Sequence, residues 1–345
     1  MNKLFLSALL SIGFSACAVA GQPDYSVTAT VPDMFDDTMS YLVDYDSDAK
    51  LDSAVVADGT IKFSGNIADP VLARIIINGK RGPVFVLEPG NISLDSEAQT
   101  ITGSPLNDKL TGYSNSITEI LKESRTLTND SVGMARMAQL EADYEKVLTD
   151  AFEQNAGNPI GLYFFLQNAY EMNLSELDAD LAKYPALAKS KRVQSLRTAL
   201  LAEEETSVGK KFKDFSVTYD GKTEKLSDYV GKGKYVLVDF WASWCGPCIR
   251  EIATLKKLRE EYGPKGLEIL GVAVWDEPAN TLEAIKQHDI PWHSMIDAQT
   301  IPTDLYGISG IPCIILFGPD GTILSRGQQG QNLINDVAKA MTPAE

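Results

Sequence analysis

From Tyr25 to about Gly103 the apolar residues come in short or alternating runs, at Tyr25 to Val31, Ile61 to Ser64, Val71 to Ile77, Val84 to Leu87 and Ile92 to Leu94. Turn formers separate them, among them Asp58-Gly59, Asn78-Gly79 and Pro89-Gly90. The pattern predicts a small all-β domain over residues 21–104, built as a sandwich. From Ser104 to Glu205 the spacing turns helical, as in Ile117, Ile120 and Leu121 or Leu140, Tyr144, Val147 and Leu148. Four or five helices fit residues 105–205, with Asn158-Pro159 ending one and starting the next. Tyr163, Phe164 and Phe165 are read there as core, and Glu203-Glu204-Glu205 as a solvated helix end.

Beyond residue 206 strands and helices alternate. Strands are expected at Phe215 to Tyr219, Tyr235 to Trp241, Leu267 to Val274, Ile311 to Phe317 and Ile323 to Arg326. Helices are expected at Cys245 to Tyr262, near Thr281 to His288 and from Asn332 onward. Residues 206–345 are therefore an α/β domain around a mixed sheet.

Composition adds limits. The 345 residues suggest roughly two to three domains. Hydrophobic residues at 44% and charged residues at 23% exclude wholesale disorder. The formal charge of −16 makes nucleic acid a poor partner, because such a surface repels phosphate backbones. The run from Leu4 to Ala20 after Met-Asn-Lys reads as a secretory signal peptide, residues 1–20, with Ala18-Val19-Ala20 as the cleavage signature. Phe14-Ser15-Ala16-Cys17 also fits a loose lipobox, so lipoprotein anchoring at Cys17 stands beside simple removal. On either reading the chain is exported to the periplasm or cell envelope.

Four cysteines occur in the chain, and three of them, Cys245, Cys248 and Cys313, follow the leader. That set does not form the even framework of a stapled secreted scaffold. Instead, the buried-strand pattern Val238-Asp239-Phe240-Trp241 runs through Ala242-Ser243-Trp244 into Cys245-Gly246-Pro247-Cys248 at a helix start. Thiols at this spacing can close a disulfide within one helical turn, and helix N-terminal amides favour negative charge on the first sulfur. Cys245 is thus the expected low-pKa nucleophile and Cys248 the resolving thiol. Asp239, an acid in an apolar strand, is the expected proton acceptor for Cys248, because burial raises a carboxyl toward the useful range. A zinc site would need two further ligands, and the only remaining candidates are Cys313, His288 and His293. No metal and no cofactor are expected, since the two sulfurs hold the electrons.

The Trp-Cys-Gly-Pro-Cys stretch after Val-Asp-Phe-Trp-Ala, with Gly310-Ile311-Pro312 ahead of a strand, resembles the thioredoxin superfamily over roughly residues 208–341. The Gly209-x-x-Phe212-x-Asp214-Phe215 opening, the segment from Asp276 to Asp297 and the leader resemble its TlpA/ResA branch of exported thiol-disulfide oxidoreductases. The resemblance implies a thioredoxin fold in which Pro312 is a cis-proline and the Ile311 backbone pairs with an extended substrate. Trp244, Gly246 and Pro247 would shape the site. Some peroxide-reductase-like proteins share the layout, but they use a peroxidatic Cys in a Thr-rich loop with a supporting Arg, and the spacing here is that of thioredoxin. Two positions depart from the pattern. Ala253 replaces a helix-kinking Pro, and Cys313 replaces the Thr that often follows the cis-proline. Cys313 is either a buried inert thiol or a third redox point.

The reading that follows is a multidomain protein with an N-terminal β-sandwich, a central helical region and a C-terminal α/β thioredoxin fold. Its expected activity is dithiol-disulfide exchange on exported proteins, in the reducing direction that the Gly-Pro dipeptide suggests, recharged by a membrane thiol donor. Two alternatives are a disulfide isomerase built on an N-terminal homodimer and an envelope binding protein whose thioredoxin domain is a scaffold.

Overall fold

The computed structural model describes residues 23–97 and 100–342, so the leader and Cys17 lie outside the described residues. The chain divides into two compact units, Met1–Phe165 and Leu166–Glu345.

The first unit opens with eight strands: β1 (Tyr25–Thr30), β2 (Met39–Asp44), β3 (Lys50–Val55), β4 (Thr60–Gly65), β5 (Val71–Ile77), β6 (Lys80–Leu87), β7 (Gly90–Asp95) and β8 (Thr100–Thr102). They form two four-stranded sheets, ordered β4-β1-β7-β8 and β3-β2-β5-β6. All pairs are antiparallel except β1 with β7. Alternation explains the near-continuous apolar run of β5. Ala73, Ile75 and Ile77 join Val27, Phe63 and Ile92 in the sandwich core, while Leu72 joins Val86 on the opposite face.

That second face is covered by α1 (Pro105–Ser124), α2 (Ser131–Glu153) and α3 (Pro159–Ala169), through Leu110, Leu148, Ile160 and Phe164. The docking of α1 is polar as well as apolar. Buried Asn107 accepts from Val86 N at 2.9 Å and donates to Val86 O at 2.6 Å, so one side chain substitutes for a neighbouring strand. Glu88, also buried, accepts from Leu106 N and Asn107 N, two first-turn amides that have no partner within the helix. Tyr163, Phe164 and Phe165 pack as expected, with Phe164 and Phe165 buried.

The second unit starts within α3, at Leu166, and continues with α4 (Leu174–Lys183) and α5 (Lys191–Glu205), so the helices of residues 105–205 are distributed over both units. There follow β9 (Ser216–Tyr219), β10 (Lys222–Lys225), β11 (Tyr235–Trp241), α6 (Gly246–Tyr262), β12 (Leu267–Ala273), α7 (Pro278–Gln287), β13 (His293–Met295), α8 (Ile301–Tyr306), β14 (Cys313–Phe317), β15 (Ile323–Arg326) and α9 (Gly330–Met341). A five-stranded sheet runs β13-β12-β11-β14-β15; β11, β12 and β13 are parallel, and β14 and β15 are antiparallel to their neighbours. This is the thioredoxin fold.

Strand β11 is central and buried on both faces. Val236, Val238 and Phe240 enter one core with Phe215, Tyr306 and Phe317, while Leu237 and Trp241 enter the other with α6 and α9. Helix α5 packs along α8, whose C-terminal Gly307 has φ 61°; a Cβ there would come within 2.1 Å of Ala199 O. Only glycine meets both demands. Arg326 closes this corner, donating to Thr206 Oγ1 at 2.7 Å and Tyr306 O at 2.6 Å.

Candidate active site

Period-two alternation in β11 places Asp239 on the same face as Leu237 and Trp241, the face that α6 covers with Cys248 and Ile252. Across the sheet Asp239 stands opposite Gly271, and Gly271 opposite Ser294, so the three form one row over three strands. Asp239 is 3% exposed, and its Oδ1 has no hydrogen-bond partner among the described residues. Burial, helped by the charge of Glu251, pushes its carboxyl up to about 7. Trp241 Nε1 and Ser294 Oγ are buried without a partner as well. Both crowd Gly271, where an added Cβ would lie 3.2 Å from the indole nitrogen and 2.4 Å from the hydroxyl. A patch of unsatisfied polar atoms therefore lies on the sheet face beneath the dithiol helix, at a place where burial is costly.

Above it, Cys245 and Cys248 are joined by a disulfide with Cα atoms 5.3 Å apart. Cys245 is also the N-cap of α6, and its Sγ accepts from Cys248 N at 3.2 Å. Gly246 and Pro247 fill the first turn, where a proline costs no hydrogen bond. The amide that reaches Sγ favours a thiolate there once the disulfide opens. The Ile311-Pro312 peptide is cis, and Ile311 O lies 3.7 Å from Cys245 Sγ. Ile311 and Pro312 are only partly buried, so this segment borders both the sulfur and solvent.

Trp244 is 61% exposed and held by its Nε1, which donates to Trp275 O at 2.9 Å. Trp275 has φ 54°, a left-handed conformation that is unfavourable for a bulky residue. Cys313 is buried in the core on the other face of the sheet, and burial pushes its thiol up to about 11.

Two residues that the motif does not announce take part. Glu251 is buried on α6 one turn after Cys248 and accepts from Gly330 N at 2.8 Å, at the start of α9. Asp276, 5% exposed, accepts from Ser243 N, Ser243 Oγ, Glu277 N and Thr281 Oγ1 at 2.8 to 3.0 Å. It ties the loop entering the dithiol to the segment after β12. Glu251 could have been found from its i, i+3 spacing to Cys248, which puts both on one helix face. Among the described residues no cluster of three His, Cys, Asp or Glu could hold a metal ion. His293 lies at the surface with Nε2 3.0 Å from Glu224 Oε1 and its ring stacked on Tyr229, partners invisible from sequence spacing.

A fold of this topology, with a dithiol at the N-terminus of the helix after its central strand and a cis-proline against the first sulfur, defines a thioredoxin-fold thiol-disulfide oxidoreductase. A family model described as the AhpC/TSA family matches residues 208–326, and a domain of unknown function, DUF4369, matches residues 25–110. Thiol-disulfide oxidoreductase ResA of Bacillus thuringiensis subsp. konkukian is 31% identical over 144 residues, covering 41% of this chain and 82% of the relative. The protein of the same name from Geobacillus thermodenitrificans is 31% identical over 118 residues, covering 34% of this chain and 67% of the relative. Among solved structures, the thioredoxin domain of a thiol-disulfide oxidoreductase from Bacteroides vulgatus is 29% identical, covering 39% of this chain and 99% of that one at a TM-score of 0.36. The chain belongs to the ResA-like family of thiol-disulfide oxidoreductases.

Proposed function

We propose that the chain reduces disulfides of exported proteins in the periplasm or cell envelope, by dithiol-disulfide exchange through Cys245 and Cys248. The observation that carries this reading is the dithiol on the N-terminus of α6, over a buried carboxyl whose Oδ1 is unpartnered. In the reduced protein the Cys245 thiolate attacks a client disulfide, forming a mixed disulfide and releasing one client thiolate. Asp239 takes the proton from Cys248, and the resulting thiolate attacks Cys245 Sγ. The Cys245–Cys248 bond forms, the mixed disulfide breaks, and the second client sulfur leaves with the electron pair and is protonated. Two electrons pass from protein to client. A membrane thiol donor restores the dithiol by the reverse exchange.

Asp239 suits this role because a carboxyl raised to about 7 can accept and release a proton near neutral pH. Ile311 and Pro312 border Cys245, which supports backbone pairing of an extended client segment there, with Trp244 at the rim. Cys313, buried with its thiol pushed up to about 11, stays out of the exchange. Export rests on the Leu4 to Ala20 leader pattern. Among the described residues no helix is long and apolar enough to cross a membrane.

The test is the reduction potential of the Cys245–Cys248 pair in purified protein, by equilibration against defined glutathione or dithiothreitol ratios with thiol counting. A value near that of thioredoxin, about −270 mV, is expected. A value near about −120 mV, where the reduced form is the stabilised one, would overturn the reducing direction.

A further inference from the structure

The first unit holds an apolar cavity of about 580 Å³, within the size range of small-molecule sites. Its walls come from both sheets and from a helix: Val31 after β1, Ile75 and Ile77 on β5, Leu94 on β7 and Leu110 on α1. A break in the β5–β6 ladder lies in the same wall. Arg74 pairs with Val84 and Ile76 with Arg81, so Gly82 and Pro83 together oppose Ile75 in a β-bulge. Pro83 has no N–H to give the ladder, and a Cβ on Gly82 would meet Ile75 O at 3.1 Å. All three residues line the cavity.

Charge at this wall runs against the rest of the chain. In a protein of formal charge −16, the cavity is bordered by Lys80 and Arg81 and by one carboxylate, Asp95. Neither cation forms a salt bridge among the described residues. Lys80 Nζ stands 5.3 Å from the centre of the Phe35 ring, which holds the ammonium over another lining residue. An occupant with an extended apolar body and a single anionic head satisfies both features. A peptide brings one backbone N–H and one C=O per residue that must be partnered even against the apolar part of this lining, whereas an alkyl chain brings none.

We propose that this cavity binds a long-chain acyl anion, with the alkyl chain between the two sheets and the anionic head at Lys80 and Arg81. The chemistry is shared by a free fatty acid and by the single chain of an anionic lysophospholipid. The site is independent of the dithiol, so it stands or falls apart from the exchange reaction.

The experiment is a fluorescence titration of the delipidated full chain with cis-parinarate, followed by displacement with oleate, methyl oleate, lysophosphatidylglycerol or an apolar hexapeptide. Saturable binding at one site per chain, displaced by oleate, is expected, and it should be unchanged in the Cys245→Ser/Cys248→Ser double variant. The Lys80→Gln/Arg81→Gln double variant, altered only at exposed positions, should lose about tenfold in affinity for oleate and little for methyl oleate. Val31→Trp, which fills the cavity, should lower the affinity for both by about tenfold or more, with circular dichroism checking that it folds. Stronger displacement by oleate than by lysophosphatidylglycerol would assign the free acid, and the reverse the lipid-borne chain. Absence of oleate displacement, equal affinity of the wild type for oleate and methyl oleate, or better displacement by the hexapeptide would each overturn the proposal.

Discussion

Two of the buried carboxyl groups around the dithiol, Asp276 and Asp239, are held in opposite ways. Asp276, beside the loop that enters the motif, accepts from four donors. Asp239, on the sheet face under α6, has an Oδ1 with no partner and a neighbouring Glu251 that disfavours its charge. A satisfied carboxyl fixes geometry, whereas an unsatisfied one held near neutrality is free to exchange a proton. The ResA-like domain uses the first to hold Ser243 in place two residues before Cys245. We assign the second to the resolving step.

The largest expected effect comes from removing the first sulfur of the dithiol. Cys245→Ser should bring disulfide reduction to the uncatalysed background, read with a fluorescent disulfide substrate, while both carboxyl environments persist. Next comes Asp239→Asn. The folded chain keeps Asp239 neutral up to about pH 7, while the unfolded chain ionises it near the ordinary value of about 4. The ionisation-linked cost of burying this acid is therefore absent below about pH 4, grows as pH rises to about 7 and then levels off. Asn should match the wild type at acid pH and be more stable at pH 8, by at most about 4 kcal/mol, as urea unfolding at several pH values would measure. In the same variant the resolving step should slow by about a hundredfold and lose its rise with pH near 7, followed by quenched-flow thiol trapping.

Asp276→Ala should have the opposite sign. Four donors lose their acceptor, and urea unfolding is expected to show a loss of stability of about 3 kcal/mol. If both variants changed stability at pH 8 with the same sign, the contrast would fail. The smallest effect belongs to Cys313→Ala. It should change the exchange rate by less than about twofold, and in the native wild type Cys313 should resist a thiol reagent that labels it rapidly in urea.

Much of this site is legible in the chain because its parts are adjacent in sequence. Strand β11, the helix start and the two cysteines lie within fourteen positions, Tyr235 to Cys248, and the continuous apolar run around it predicts a buried Asp239. Asp276 is not legible by such adjacency. It reaches Ser243 because β11 and β12 are parallel neighbours, so the chain leaving one emerges beside the chain leaving the other. Sheet edges are also hard to read. Strand β3, Lys50-Leu51-Asp52-Ser53-Ala54-Val55, has no fully buried residue and is held by backbone pairing to β2, so no hydrophobic pattern marks it. The apolar runs of β1, β5 and β7 have inward-facing residues and are readable for that reason. The cavity lay beyond sequence reasoning, since it depends on where a bulge in β6 falls against the opposite sheet.

Cys245 has two jobs in one atom: its sulfur reacts, and the same sulfur caps α6 by accepting from Cys248 N. Serine is among the best capping residues, and its oxygen can take that amide without taking part in redox chemistry. One oxygen-for-sulfur exchange at position 245 would thus convert the reagent into a redox-inert scaffold with the architecture intact. Paralogues of this chain that had drifted to such a role would be told apart by that single atom and by nothing in their topology.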